Sequence, residues 1–266
     1  MSFGSYPRSF AGMLVHRHRS EEAGTPVNAY LVEGAEGVVA VDATLTVPGG
    51  RALRARAEAL GKPLLGVVIT HAHPDHYGGL VELVAGLDVP VYSTALVGEV
   101  IRRDDPVKEA ILRPMFGDLW PAARAFPTHV AGDGETVAFG DVELMVADLG
   151  PSESPADSIW RLTGEPRRVF SGDLAYDRTH CYLADGFHER WLANLARFRG
   201  ELEPGTTLHP GHGEPCGLEA LDWQRAYIET MLSAVRDGGD VPSAMREFLP
   251  SETLAFLMEL SVEPLR

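Results

Sequence analysis

The sequence predicts an α/β chain in which strands lead helices in each half. Three features carry that expectation. Short β-rich runs are punctuated by glycine, as in Asn28–Glu33 and Gly37–Ala43. One near-continuous apolar run, Leu64–Thr70, has the length and composition of a strand covered on both faces. Apolar residues at helical spacing follow these runs, as with Leu53, Ala57 and Leu60.

In chain order, Pro48-Gly49-Gly50 breaks the first pair of strands from a helix over Arg51–Leu60, which Gly61 stops. The strand Leu64–Thr70 runs into a histidine-rich loop, His71–His76. A helix around Leu80–Ala85 and a short strand at Val89–Ser93 follow. The stretch Asp104–Pro127 carries Pro106, Pro114, Pro121 and Pro127, which argues against one long helix. Its Ile111, Leu112, Met115, Phe116, Leu119 and Trp120 are expected on an irregular connection, either walling a pocket or covering core. Thr136–Phe139 and Val142–Ala147 form a hairpin through Gly140-Asp141. Strands at Ser158–Leu162 and Arg168–Ser171 lead to Gly172-Asp173. A helix over Phe187–Phe198 presents Trp191, Leu195 and Phe198 on one face, and the strand Thr206–His209 ends in Pro210-Gly211-His212-Gly213. Leu218–Val235 is a long amphipathic helix whose apolar stripe packs on core or forms a subunit contact in a homodimer, and Ser251 caps a final helix. No linker divides the chain, so residues 1–266 are expected to form a single domain with a helical extension from about 218 to 266.

The 266 residues carry a formal charge of −15 and are 45% hydrophobic, a composition of globular rather than disordered chains. Such an acid excess disfavours nucleic acids and anionic membranes as partners and leaves a small-molecule substrate. No apolar stretch approaches the ~18 residues of a membrane span. The N-terminus lacks the continuous apolar core of a signal peptide, and Cys181 and Cys216 supply no disulfide framework; a cytoplasmic protein is expected.

The chemistry concentrates in Thr70-His71-Ala72-His73-Pro74-Asp75-His76-Tyr77-Gly78-Gly79. Imidazole and carboxylate suit zinc, and also iron or manganese. His71 and His73 alternate and can face one ion, whereas Asp75 and His76 project differently after Pro74 and can serve a second. A merely solvated loop explains four ligand-type residues in six positions poorly.

This segment resembles the HxHxDH signature of the metallo-β-lactamase-fold hydrolases. Val27–Glu33 and Val41-Asp42 resemble the family's opening strands, Ser171-Gly172-Asp173 its bridging-aspartate motif, and His209-Pro210-Gly211-His212-Gly213 its late Gly-His motif. The resemblance spans about Val27 to Pro215. It implies a four-layer αββα sandwich of two mixed sheets with two divalent metals at one edge, zinc by default. A second group of Asp75, His76, Asp173 and His212 is implied residue by residue, with Asp42 supporting from behind the ligands; His209, three residues before His212, is a separate candidate for such support rather than for metal binding. The family's third-motif histidine is missing. Aligning Ser154-Pro155 with the usual Thr-Pro places Glu153 there. Either Glu153 joins His71, His73 and Asp173 around the first ion, or that site is weakened and the second ion dominates, or Glu153 is a surface-loop residue. A carboxylate for an imidazole adds negative charge and shifts preference toward manganese or iron.

The chemistry so implied is hydrolysis of an ester, thioester, lactone or lactam. Two cations bring the pKa of a bound water toward ~7, and the resulting hydroxide attacks a carbonyl. Asp75 is the candidate to orient that nucleophile and pass its proton on. His180 and Tyr182 are candidates for substrate contact. His16 and His18 read as a solvated strand face. Competing readings are an iron-dependent oxidoreductase on the same fold, a binding protein with a degraded site, and a nuclease, the last disfavoured by the charge.

Overall fold

The computed structural model describes residues 12–20, 26–164, 166–245, 248 and 255–266. Most of the N-terminal segment and Ser251 lie outside the described residues.

Strands β1 (Leu14–Ser20), β2 (Val27–Glu33), β3 (Val38–Val41), β4 (Leu64–Val68), β5 (Val91–Ser93) and β6 (His129–Val130) form one sheet in that spatial order. β1, β2 and β3 pair antiparallel, and β3 to β6 pair parallel. The second sheet has the order β11-β10-β9-β8-β7, built from β7 (Thr136–Phe139), β8 (Val142–Gly150), β9 (Asp157–Leu162), β10 (Arg168–Gly172) and β11 (Thr207–Pro210). Only β10 and β11 pair parallel in it.

The inner strands β2 and β3 are apolar almost throughout because both of their faces are covered, whereas β7 alternates, the edge strand β1 is largely half-buried and the edge strand β6 is exposed. In β2, Tyr30 and Val32 point to the cluster between the sheets, while Ala29 and Leu31 point to the helices outside. β3 alternates likewise, with Val39 and Val41 inward and Val38 and Ala40 outward. The inter-sheet core joins these to Val142, Leu144, Val146, Trp160 and Phe170 of the second sheet. Helices α1 (Val47–Ala59), α2 (Pro74–Tyr77), α3 (Leu80–Leu83) and α4 (Ala95–Phe116) accompany the first sheet. Helices α5 (His188–Glu201), α6 (Glu219–Arg236), α7 (Val241–Met245) and α8 (Ala255–Val262) pack with the outer face of the second. The architecture is the four-layer αββα sandwich. The α6 stripe, including Leu221, Tyr227, Ile228 and Met231, is buried in the chain's own core.

One expectation fails. Residues 104–116 belong to a continuous 22-residue helix, α4, that runs through Pro106 and Pro114. The Thr94 side chain caps its first turn on Val97 N–H, and Val97, Val100 and Ile101 anchor it in the core. A proline removes one helical hydrogen bond and costs roughly 3 kcal/mol. Here both prolines, and the Arg102 and Ala110 whose carbonyls they free, are exposed, so water can satisfy the lost acceptors. Arg113 then closes the helix end by donating to Gly117 O (2.9 Å), Trp120 O (2.7 Å) and Pro121 O (2.9 Å). The proline rule missed this because burial of the N-terminal turns outweighs it.

His16 is half-buried rather than solvated, its Nε2 2.8 Å from Glu33 Oε2. His209 lies between the sheets, its ring 5.1 Å from Tyr30 and 5.2 Å from Phe170, with neither nitrogen hydrogen-bonded. Burial, helped by the nearby Arg168 charge, pushes it down to about 4. Between the ordinary value of about 6.5 and about 4 the unfolded chain binds a proton that the native fold refuses. Stability from this residue is therefore complete above pH 6.5 and is lost as pH falls through about 4, amounting to about 3 kcal/mol at most. Substituting His209→Leu should flatten that part of the profile. Urea unfolding of both proteins from pH 7 to pH 4, with chelator present, will reveal it as a stability difference that shifts in favour of the variant as pH falls; parallel curves would contradict the assignment.

Candidate metal centre

The C-terminal ends of β4, β10 and β11 and the turn after β8 meet at one edge of the sandwich. Backbone hydrogen bonds tie the two sheets together there. Ser158 N donates to Thr70 O (2.8 Å), backed by the Ser158 hydroxyl (2.6 Å), Ala72 N to Ala156 O (3.2 Å) and Asn28 N to Gly211 O (2.7 Å), while Gly211 N to Gly172 O (2.9 Å) joins β11 to β10 within the second sheet. His71 follows β4 and bridges to Asp157; His73 is the N-cap of α2, so the helical turn at Pro74 swings Asp75 and His76 to a new direction. Asp173 follows β10 and His212 follows β11. Glu153 sits in a turn whose Ser154 N and Oγ both donate to Asp157 Oδ2, at 2.8 and 2.9 Å.

These residues converge in two groups. Ligand atoms of His71, His73, Glu153 and Asp173 all lie within 4.8 Å of one another, as do those of Asp75, His76 and His212. Asp173 reaches both: Oδ2 is 3.8 Å from His71 Nε2 and 3.3 Å from His212 Nε2, and Oδ1 is 3.5 Å from His76 Nε2. Glu153 is 2% exposed, which removes the surface-loop alternative, and its Oε2 lies 2.8 Å from His73 Nδ1.

Each histidine is held by its outer nitrogen. His71 Nδ1 is 2.9 Å from Thr70 Oγ1, whose own proton goes to Asp42 Oδ2 at 2.8 Å, so the imidazole is the donor. His76 Nδ1 pairs with Asp42 Oδ2 (2.9 Å), His73 Nε2 with Asp185 Oδ2 (2.9 Å), and His212 Nδ1 with Pro26 O (2.6 Å). With the outer nitrogens donating, all four present a lone pair inward. Asp42 adopts a left-handed φ of 62°, uncommon for a residue with a side chain, and thereby reaches both His76 and Thr70.

The inner atoms fit divalent cations. His71 Nε2, His76 Nε2 and Asp173 Oδ1 are buried with no hydrogen-bond partner, an arrangement costly for a protein without a ligand to satisfy it. The electrostatics agree. Burial raises Glu153 to about 7, against the lowering pull of His73. Burial lowers His73, His76 and His212, yet Glu153 beside the first and Asp173 beside the other two lift them above their ordinary values. A cation would take over the balancing role that these protons fill.

Other candidates fall as follows. Tyr182 lines the cleft over the cluster with its ring 5.6 Å from His73. His180 turns away, its Nδ1 2.8 Å from Tyr227 Oη on α6, and is absent from the described cleft wall. His209 makes no hydrogen bond to the site. Three residues escaped the sequence reading. Asp185 orients His73, Thr70 orients His71, and Tyr176 lies with its hydroxyl 2.6 Å from Asp173 Oδ2 and 3.0 Å from Glu153 Oε1, its ring stacked on His212. The short spacing of Tyr176 from Asp173 was the one available signal; Asp185 left none.

An αββα sandwich with such a cluster at its edge defines a metal-dependent hydrolase. The chain belongs to the metallo-beta-lactamase superfamily, whose family description matches residues 23–216. It is 31% identical over 245 residues to the acyl-coenzyme A thioesterase MBLAC2 of Homo sapiens, covering 79% of this chain and 81% of that protein. A hydroxyacylglutathione hydrolase of Bdellovibrio bacteriovorus is 25% identical over 149 residues, covering 56% of this chain and 49% of the relative. Among solved structures, a beta-lactamase domain protein from Burkholderia ambifaria superposes with a TM-score of 0.69 at 20% identity, covering 94% of this chain and 85% of the other.

Glu153→Ala should reduce bound metal from about two ions per chain to about one, and Asp173→Ala should remove both, with circular dichroism unchanged. Mass-spectrometric metal analysis decides this, and two ions retained in Glu153→Ala would exclude the carboxylate as a ligand. A Cβ on Gly211 would collide with Asp173 Oδ1 and stand 2.5 Å from His76 Cε1. Gly211→Ala should therefore weaken metal binding by about 10- to 100-fold, measured by competition with a chromogenic chelator.

Proposed function

We propose that this hydrolase cleaves thioesters. The observation that carries the reading is the position of the cluster at the polar floor of an otherwise apolar cleft, beside the kinship with a thioesterase over most of both chains. His71, His73, Glu153 and Asp173 would hold one divalent cation, and Asp75, His76 and His212, with Asp173 shared, a second. Zinc is the default, with the Glu153 carboxylate biasing the first position toward manganese or iron. Cations bound there supply Lewis acidity and acidify water.

The chain's own residues divide the remaining work. Asp75 is the only member of the two groups that is not fully buried, and its carboxylate lines the cleft. It can accept a proton from the attacking water at a carboxylate oxygen and deliver it to the departing sulfur. Burial raises the neighbouring Tyr182 phenol to about 12, so it stays neutral and serves as a wall and hydrogen-bond donor rather than a base. A thiol has a pKa of about 8.5 and departs readily as thiolate, so a site with one modest proton shuttle suits a thioester better than an amide. The Tyr176 hydroxyl bridges Asp173 and Glu153 and holds their spacing.

Thiol release monitored with a disulfide reagent tests the proposal on acyl-coenzyme A and hydroxyacylglutathione, with lactone opening followed by acid release and β-lactam opening by absorbance as the comparison. Thioesters should be hydrolysed by metal-loaded protein, and Asp75→Asn should slow the reaction by about 100-fold or more. Metal-replete protein that leaves every thioester intact would defeat the reading; iron content with oxygen consumption would favour the oxidoreductase instead.

A further inference from the structure

The cleft over the cluster is asymmetric. Its floor carries Asp75, Glu153, Asp173 and His212. Its walls are Ile111, Leu112, Met115 and Phe116 from α4 and Phe256 and Leu257 from α8. Ile111 is 51% exposed, Met115 65% and Phe256 42%, large apolar side chains left facing solvent next to a reactive site. Exposed apolar surface of this kind, contiguous with polar chemistry, marks a ligand groove. Lys108 is the only lysine or arginine among the described wall residues.

We infer that the space between α4 and α8 is the acyl-chain subsite, and that the acyl part of the substrate is an unsubstituted aliphatic chain rather than a short hydroxyacyl group. This rests on the thioesterase reading. A carbonyl placed over the cluster floor sends its acyl substituent along the Ile111–Phe116 face or out to solvent. A hydroxyl or amide lying against Ile111, Leu112, Met115 or Phe116 would meet side chains that offer it no hydrogen bond and would lose affinity by desolvation, Lys108 and Tyr182 being the polar residues elsewhere on the wall. Methylenes there gain from burial instead. The cleft as a whole, polar floor included, measures about 240 Å³. The helix that forms one wall is the one that continues through Pro106 and Pro114, so this subsite depends on α4 extending about four turns past its buried anchor at Ile101.

The test uses N-acetylcysteamine thioesters from acetyl to octanoyl on the metal-loaded enzyme, so that the leaving group stays constant. KM should fall about two- to fourfold per added methylene, and the double substitution Ile111→Ser with Met115→Ser should cut the octanoyl-to-acetyl ratio of kcat/KM at least tenfold. A binding measurement stands apart from turnover: N-phenyl-1-naphthylamine should fluoresce on the holoenzyme, be displaced by 1-octanol, and bind poorly to the double variant. Equal kcat/KM for acetyl and octanoyl thioesters would overturn the subsite while leaving the thioesterase reading intact. Absence of all thioester cleavage, with the dye still bound and lost in the double variant, would overturn the thioesterase reading and support an aliphatic-chain site. A dimer in sedimentation that excludes the dye would overturn the inference, since a second copy would then cover the groove.

Discussion

The structure turns on buried charge that has no internal solution. Asp173 and Glu153 are almost wholly enclosed, Asp75 stands beside them, and four imidazoles face them, two of which, His71 and His76, have no hydrogen-bond partner at Nε2. Protons alone balance such a cluster poorly, because each one satisfies a single atom and leaves its neighbours orphaned. Divalent cations satisfy several atoms at once. The surrounding hydrogen bonds make sense in that light: Thr70, Asp42, Asp185 and the Pro26 carbonyl occupy the outer nitrogens and leave the inner ones free.

The replacement of an imidazole by Glu153 changes the character of the first group. It adds a negative charge where the family usually has a neutral donor, and the Tyr176 hydroxyl lies against both added and shared carboxylates. Asp157 sits just behind, itself raised by burial first and then by the charge of Glu153. The group carries one more negative charge than a histidine at residue 153 would give, and the Tyr176 hydroxyl lies against both of its carboxylates.

Legibility in the sequence followed distance along the chain. His71, His73, Asp75 and His76 fall within six residues, and a strand followed by a proline turn already orients them, so local geometry sufficed to nominate them. Asp173, Glu153 and His212 were found through order and resemblance, because nothing local ties residue 153 to residue 71. Asp185 was invisible, since its role exists only where the loop after β10 folds back on His73. The inner strands were legible because burial on both faces leaves them apolar almost throughout. Helix α4 was not, because proline content is a local statistic, whereas the anchoring of Val97 and Ile101 in the core is a property of the assembled layers.

The cluster takes its ligands from both sheets, and its spacing is therefore inherited from how the two layers rest on each other. Phe170 and Trp160 lie between those layers. Interiors are close-packed and transmit strain, so a change of volume there would be felt at the ligand sets as well as in the core. The interior of this sandwich is thereby part of the geometry of its rim.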